Sequence, residues 1–322
     1  MENKKAARFN EWRYITEPNG ITVREVSFDT ARGGAPITVL HLTDLHFNYC
    51  NQRDLDEANP VLMSTLTYRK WLANGASVPA VQKLLQYGKD AEQIMITGDI
   101  FDYLSHGCIE LAKTHLFEPC GDRLMASLGN HEAVRKMQGV VDDPTTLESR
   151  LAILQENWCN DIYYSSKVLG DKVMLIQMDD STQFDTTGRS FWDCQIEPLE
   201  RDLARARANQ WIVLLFFHNK LSTGNPSDTR LRASVVGDKK TEYCDFYNYY
   251  AKSDSEGATG VVYNMIVNSA DVIKGCFCGH HHSDFYTEIL AKTPDGKDAV
   301  IPQYCMMASI YGQGHALKIT IH

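Results

Sequence analysis

The stretch Leu124-Met125-Ala126-Ser127-Leu128-Gly129-Asn130-His131-Glu132 sets an apolar run directly against a glycine and three polar side chains. A run bounded this way reads as a buried strand that delivers Asn130, His131 and Glu132 where it ends. Other apolar runs end in the same manner. Ile37 to Leu42 precedes Asp44-Leu45-His46, and Ile94 to Ile96 precedes Thr97-Gly98-Asp99. Trp211 to Phe217 precedes His218, and Val272 to Cys278 precedes Gly279-His280-His281-His282. Asp, His and Asn are metal ligands, and the glycines beside them let the backbone turn tightly. With Leu45 between them, Asp44 and His46 leave their strand pointing the same way, by the period of two.

The 322 residues are enough for a sizeable core, and 43% are apolar, near the globular average. No stretch approaches the roughly 20 apolar residues of a membrane span. Met1 to Trp12 is polar and of mixed charge, without the apolar centre of a signal peptide, and nine cysteines in no regular framework suit reduced thiols. A cytoplasmic protein is expected. The formal net charge of −9 argues against a nucleic-acid groove, although bound cations would reverse the sign locally.

Residues 1–36 read as a lead-in, with Ile21 to Phe28 as an edge strand. In the connection 47–93, Val61 to Leu72 and Val78 to Tyr87 have helical spacing, and Pro79 suits a first turn. Asp102 faces the same region as Asp99 if the chain turns into a helix there. Asp143-Pro144 predicts the start of the amphipathic helix Leu147 to Trp158. Gly170-Asp171, between Ile162 to Leu169 and Lys172 to Met178, predicts a two-residue hairpin. Gln195 to Ala208 is a charged helix with a solvated face, and Gly260 to Asn268 a further helix. Phe285 to Ala291, Ala299 to Met306 and Ala316 to Ile321 complete the strands. No repeat or composition shift divides 1–322, so one domain is expected, with 47–93 and 219–259 shaping a substrate pocket.

Open sheets bind ligands beyond the carboxyl ends of their strands, where all these polar stretches fall. Two Asp, one Asn and four His form a set suited to Mn, Fe, Zn or Co rather than Ca. A carboxylate can bridge two ions, and a two-metal site clamps the attacking and leaving oxygens of an in-line phosphoryl displacement. A metal-bound water, acidified towards neutral pH, is the natural nucleophile.

The series Asp44-x-His46, Gly98-Asp99, Gly129-Asn130-His131-Glu132, His218 and Gly279-His280-x-His282 resembles the calcineurin-like metallophosphoesterase superfamily across residues 44–282. Within it, the purple-acid-phosphatase-related and class III phosphodiesterase-like branch is the most similar. The resemblance implies an α/β fold, a four-layer α/β/β/α sandwich with two mixed central β-sheets and a dinuclear centre at one edge. It implies that Asp44, His46 and His282 hold a first metal, that Asn130, His218 and His280 hold a second, and that Asp99 bridges both. His131 is implied as the catalytic histidine that bonds the phosphate and helps protonate the leaving group. Glu132 is expected to orient His131, a supporting role. The cofactors implied are two divalent or trivalent ions drawn from Mn, Fe and Zn. Two departures stand out: Asn219-Lys220 follows His218 where many relatives place a proline two residues on, and His281 separates the paired histidines where Asp or Thr is usual. The tyrosine in Gly98-Asp99-Ile100-Phe101-Asp102-Tyr103 also sits one residue later than the ferric-iron ligand of the purple enzymes.

The expected activity is metal-dependent hydrolysis of a phosphomonoester or phosphodiester by a metal-bound hydroxide. A cyclic-nucleotide phosphodiesterase would use the same residues, and a non-catalytic scaffold would share the fold. Scaffolds of this kind tend to lose a ligand or the histidine, and neither is missing here. Arg230 and Arg232, after His218, either steer phosphate or belong to a solvated loop; Tyr243, Tyr247, Tyr249 and Tyr250 either stack on a substrate ring or pack the loop down. His281 is read as solvent-facing, His41 as structural, and Cys276 and Cys278 as core. The partner expected is a small phosphorylated substrate, with no nucleic acid and no membrane.

Overall fold

Strands buried on both faces read as continuous apolar runs, and two sets of them stack here face to face. The computed structural model describes residues 13–58, 62, 69–133, 145–185, 188–224, 235–236, 239–240 and 251–322. The first sheet runs, edge to edge, through β1 (Arg13–Thr16), β2 (Thr22–Phe28), β12 (His315–Ile321), β3 (Ile37–Leu42), β4 (Gln93–Thr97) and β5 (Leu124–Ser127). The second runs through β10 (Phe285–Lys292), β11 (Asp298–Cys305), β9 (Ile273–Cys278), β8 (Ile212–Phe216), β7 (Val173–Met178) and β6 (Tyr164–Leu169). Both are mixed: β3, β4 and β5 are parallel neighbours, as are β7, β8, β9 and β11, whereas β1, β6 and β10 pair antiparallel at the margins.

The period of two sorts each strand between two cores. On β7 and β8, Leu175, Leu214 and Phe216 point inwards and meet Val39, Met95, Met125 and Leu317 of the first sheet. Ile176, Val213 and Leu215 point outwards onto Leu199, Leu203 and Ala206 of α6 (Ile196–Asn209) and Val262 and Ile266 of α7 (Gly257–Val267). On the other side, Leu40, Leu42, Ile94 and Ile96 pack against α2 (Val78–Tyr87), α3 (His106–Ala112) and α5 (Leu147–Asn157) through Val81, Leu84, Ile109, Leu151 and Leu154. The result is four layers, helices outside two central sheets. Each buried Leu, Ile or Phe in such a core stabilises the fold by roughly 1.5–3 kcal/mol. His41 packs its ring edge-on to Phe216 and Phe277 in the inter-sheet layer, where burial pushes it down to about 3 and keeps it neutral. Cys276 and Cys278 point into the second outer core.

Several local expectations are corrected. β2 is not an edge strand, because β1 lies outside it. The turn after β6 has Gly170 and Asp171 at φ of 56° and 51°, but Leu169 faces Val173, so Lys172 joins the loop and makes it three residues long. Thr146 caps α5 by accepting from the Ser149 amide, and Asp143 and Pro144 lie outside the described residues. Most of the expected helix Val61 to Leu72 also lies outside them, as do Arg230, Arg232 and the four tyrosines of 243–250. The chain between Asp99 and Asp102 is extended rather than helical, bridging from Phe101 to Phe47. On α6, exposed Arg201 and Arg205 pair with buried Asp202 while Leu199 and Leu203 face the core, which leaves the charged face to solvent. No helix among the described residues is long and apolar enough to cross a membrane.

Candidate metal centre

The carboxyl ends of β3, β4, β5, β8 and β9 converge, and the loops leaving them are tied together by backbone hydrogen bonds. Asp44 N donates to Gly98 O (3.0 Å), His46 N to Asp99 O (2.9 Å) and Gly279 N to His218 O (3.0 Å). Two side-chain bonds join the sheets: His218 Nδ1 donates to Thr97 O (2.7 Å), and Asp44 Oδ2 accepts from His280 N (3.1 Å). These loops are strained. Among the described residues nine non-glycine positions have positive φ, and Asp44, His46, Asp99, His280 and His282 account for five of them, at 45° to 67°. Strain of this kind costs on the order of 1–3 kcal/mol per residue and gathers at functional sites.

Two glycines are fixed by close approach. A Cβ on Gly279 would lie 1.8 Å from Thr43 Oγ1, and one on Gly129 would lie 2.2 Å from Asp99 Oδ1. Gly129→Ala is therefore expected to displace the Asp99 carboxylate and to lower bound metal by about ten-fold or more under limiting metal, read by elemental analysis after dialysis. Retention of full metal content would show that the Asp99 position tolerates the shift.

The expected ligands fall into two groups. Ligand atoms of Asp44, His46, Asp99 and His282 lie within 4.8 Å of one another, and so do those of Asp99, His218 and His280. Asn130 Oδ1 completes the second, 3.2 Å from His218 Nε2. Asp99 Oδ2 belongs to both, 4.0 Å from His46 Nε2 and 3.3 Å from His218 Nε2.

The donor set fits cations. His46 Nε2 and His282 Nε2 face each other at 3.0 Å, and His280 Nδ1 faces His218 Nε2 at 3.2 Å. Ligands about 2.1 Å from a common ion and at right angles lie about 3.0 Å apart. Asp44 Oδ1 is buried and accepts no hydrogen bond, although His282 Nε2 lies 3.0 Å away. Its Oδ2 is occupied by Thr43 Oγ1 at 2.6 Å, which leaves Oδ1 aimed at the shared point. The remote nitrogens are held as metal-ligating histidines require. His46 Nδ1 lies 3.2 Å from Asp102 Oδ1, His218 Nδ1 donates to Thr97 O, and His282 Nδ1 lies 2.8 Å from the Tyr311 hydroxyl.

Burial opposes charge throughout, and neighbours decide the outcome. Burial works against the Asp99 carboxylate, yet the imidazoles of His218, His131 and His46 hold it well below the usual range. Burial likewise works against a charge on His218, but Asp99 raises it to about 10, so a divalent ion competes with a proton for that lone pair. Asp102 is held at about 2: burial is outweighed by His46, His131 and Arg69.

His131 stands beside both groups, its ring 4.7 Å from that of His46. Its Nδ1 lies 2.8 Å from the Asp102 carbonyl oxygen, an acceptor only, so Nδ1 carries the proton and Nε2 is left for other work. Burial pushes the ring down to about 4, with the Asp99 charge acting against it. The expectation that Glu132 orients this ring is corrected. The Glu132 carboxylate instead accepts from the amides of Gly129 (2.7 Å), Phe101 (2.9 Å) and Asp99 (3.2 Å), and so shapes the Asp99 loop. Burial and the Asp99 charge push it up to about 8. Asp102 takes the orienting place, and it is itself held by Asn48 Nδ2 (2.8 Å) and Arg69 Nη1. His281 is half-buried rather than solvent-facing, its ring edge-on to His280 and Phe285.

Asn48, Arg69, Asp180 and Tyr311 were not signalled by the sequence. Asp180 accepts from His218 N (3.1 Å) and from Asn219 N (3.0 Å), fixing the turn that presents His218. It lies two residues after the end of β7, a position the apolar-run rule could have flagged.

The family model for calcineurin-like phosphoesterases matches residues 37–284, most of the chain. No curated protein is detectably similar in sequence. Among solved structures, a dimetal phosphatase from Danio rerio aligns at 11% identity and a TM-score of 0.47, covering 88% of this chain and 98% of that one. The purple acid phosphatase PPD1 from yellow lupin seeds aligns at 12% identity and a TM-score of 0.45, covering 92% of this chain and 46% of its own, so the chain spans under half its length. PhoD aligns at 9% identity and a TM-score of 0.46, covering 89% and 59%.

Proposed function

Because the chain belongs to the calcineurin-like phosphoesterase family, we propose that it hydrolyses a small phosphorylated substrate, a phosphomonoester or phosphodiester, at a dinuclear metal centre. The observation that carries this reading is Asp99 Oδ2, the one oxygen common to both ligand groups, with His131 beside it. Two ions of Mn, Fe or Zn held by Asp44, His46, His282 and by Asn130, His218, His280 would neutralise phosphoryl oxygens and acidify a water molecule.

The chain's own residues have distinct tasks. Asp99 keeps its position because its Oδ1 accepts the His131 amide (2.9 Å) and its loop is pinned by Glu132. Asp102 holds the His131 ring through Nδ1–H, which leaves the Nε2 lone pair free to take a proton from the attacking water. The imidazolium so formed can then hydrogen-bond a phosphoryl oxygen and pass that proton to the departing oxygen. Arg69 neutralises Asp102, which lets that buried carboxylate persist beside the site. The strained loop residues hold the donors before any cation arrives, which lowers the ordering cost of binding.

The test is hydrolysis of an aryl phosphomonoester and of the matching diester, with Mn, Zn or Fe added and metal content measured. Metal-dependent turnover of either ester supports the proposal, and preference for the diester favours cyclic nucleotides as the next substrates. Stoichiometric metal with no turnover of any ester would leave the non-catalytic scaffold standing in its place.

A further inference from the structure

The turn at residues 69–72 brings two side chains to the centre that no metal ligand accounts for. Arg69 points inwards, donating to Asp102 and lying 3.4 Å from His46 Nδ1. Trp71 points outwards, with 55% of its surface exposed; among the described residues it is the only aromatic in the set of exposed large apolar side chains. An indole left in water at the rim of a polar site loses apolar burial that a ligand ring could restore.

Its position is defined by a row of ring contacts. Trp71 lies 6.1 Å from Tyr311 at a tilt of 39°, Tyr311 lies 5.5 Å from His282, His282 lies 5.0 Å from His46, and His46 lies 4.7 Å from His131. The Tyr311 hydroxyl, 2.8 Å from His282 Nδ1, anchors the middle of the row to a ligand. Arg69 fixes the other end of the same turn to Asp102, whose carbonyl holds His131. The exposed indole is thereby fixed at the rim of the centre beside His282, at the far end of this row from His131.

From this juxtaposition we infer that Trp71 and Tyr311 form a stacking subsite for a planar aromatic group carried by the phosphoester. The inference rests on the phosphoesterase reading and narrows it to aryl or nucleoside esters over simple alkyl esters. Stacking suits this place because ring faces pair without demanding one hydrogen-bond pattern, so the subsite would select a shape rather than a particular ring.

The test uses the full chain loaded with Mn²⁺ and three stable phosphonates, measured by calorimetry: methylphosphonate, phenylphosphonate and a nucleoside 5′-phosphonate. At least one ring-bearing phosphonate should bind about ten-fold more tightly than methylphosphonate. Whichever shows the larger preference identifies an aryl or a nucleoside ester. In Trp71→Ala that preference should fall to about two-fold or less, and Trp71→Phe should restore most of it. Binding of all three with no ring preference, or a preference that survives in Trp71→Ala, overturns the subsite alone. Failure of every phosphonate to bind the Mn²⁺-loaded protein overturns the phosphoesterase reading beneath it.

Discussion

Asp99→Asn is expected to abolish turnover, lowering kcat/KM by about 10³ or more, and to cut bound metal by about half or more. The reason is the position of one oxygen. Oδ2 lies 3.3 Å from His218 Nε2 and 4.0 Å from His46 Nε2, so it is the element common to both ligand groups. An amide preserves the shape but offers a neutral oxygen on one side and a donor on the other. It cannot hold two cations close together. The fold should survive at lower stability, because the change leaves buried His218 without the carboxylate that holds it protonated, an effect larger than the relief of repulsion on Asp44. Without metal, the variant should melt below the parent because the buried His218–Asp99 pair is lost, and added metal should widen the gap by stabilising the parent far more. Metal analysis, thermal melts and turnover of an aryl phosphate read these effects separately. Unchanged turnover in a variant that has lost metal would remove the bridging role altogether.

His131→Ala is expected to behave differently, with kcat falling by about 10²–10⁴ while metal content stays near that of the parent. The His131 ring touches the metal ligands only at its edge, and its fixed point is the Asp102 carbonyl oxygen at 2.8 Å. Removing it takes away the Nε2 group without opening either donor set. A leaving group that departs without a proton should suffer much less, so the loss should shrink as the leaving-group pKa falls. A uniform loss across leaving groups, accompanied by lost metal, would instead make His131 a structural support for Asn130 and Asp99.

The fold and the ligand groups were largely legible from the sequence, because both follow from where apolar runs stop. β3, β4, β5, β8 and β9 are short runs buried on both faces, and the residues that end them are the ones the backbone brings together. What was missed has a common cause. Arg69 and Trp71 come from the end of the Val61 to Leu72 stretch, expected as helix but a turn at 69–72. Tyr311 comes from a turn before β12 and Asn48 from a loop, and periodicity marks none of them as part of a site. Their places depend on how connections settle onto a finished sheet, which is tertiary information. Glu132 shows the opposite error: adjacency to His131 suggested contact, but on the short helical turn Asn130–Ala133 neighbouring side chains diverge, and its carboxylate turns to the backbone of the Asp99 loop. The edge assignment of β2 failed because alternation records which faces are covered and says nothing about which strand lies outside.

The placement of β12 has a consequence for the life history of the molecule. It lies between β2 and β3, pairing parallel with one and antiparallel with the other, although some 270 residues separate it from β3 in the chain. A chain emerging from the ribosome makes β3 and its Asp44-x-His46 loop early, but one margin of β3 stays unzipped until residues 315–321 arrive. Until then the nascent sheet offers bare amides and carbonyls to any passing strand, the template from which aggregates grow. The Asp44-x-His46 loop is thereby carried on a strand whose pairing waits for residues 315–321. A strand so distant in the chain makes the closing of this sheet a late, long-range event in folding.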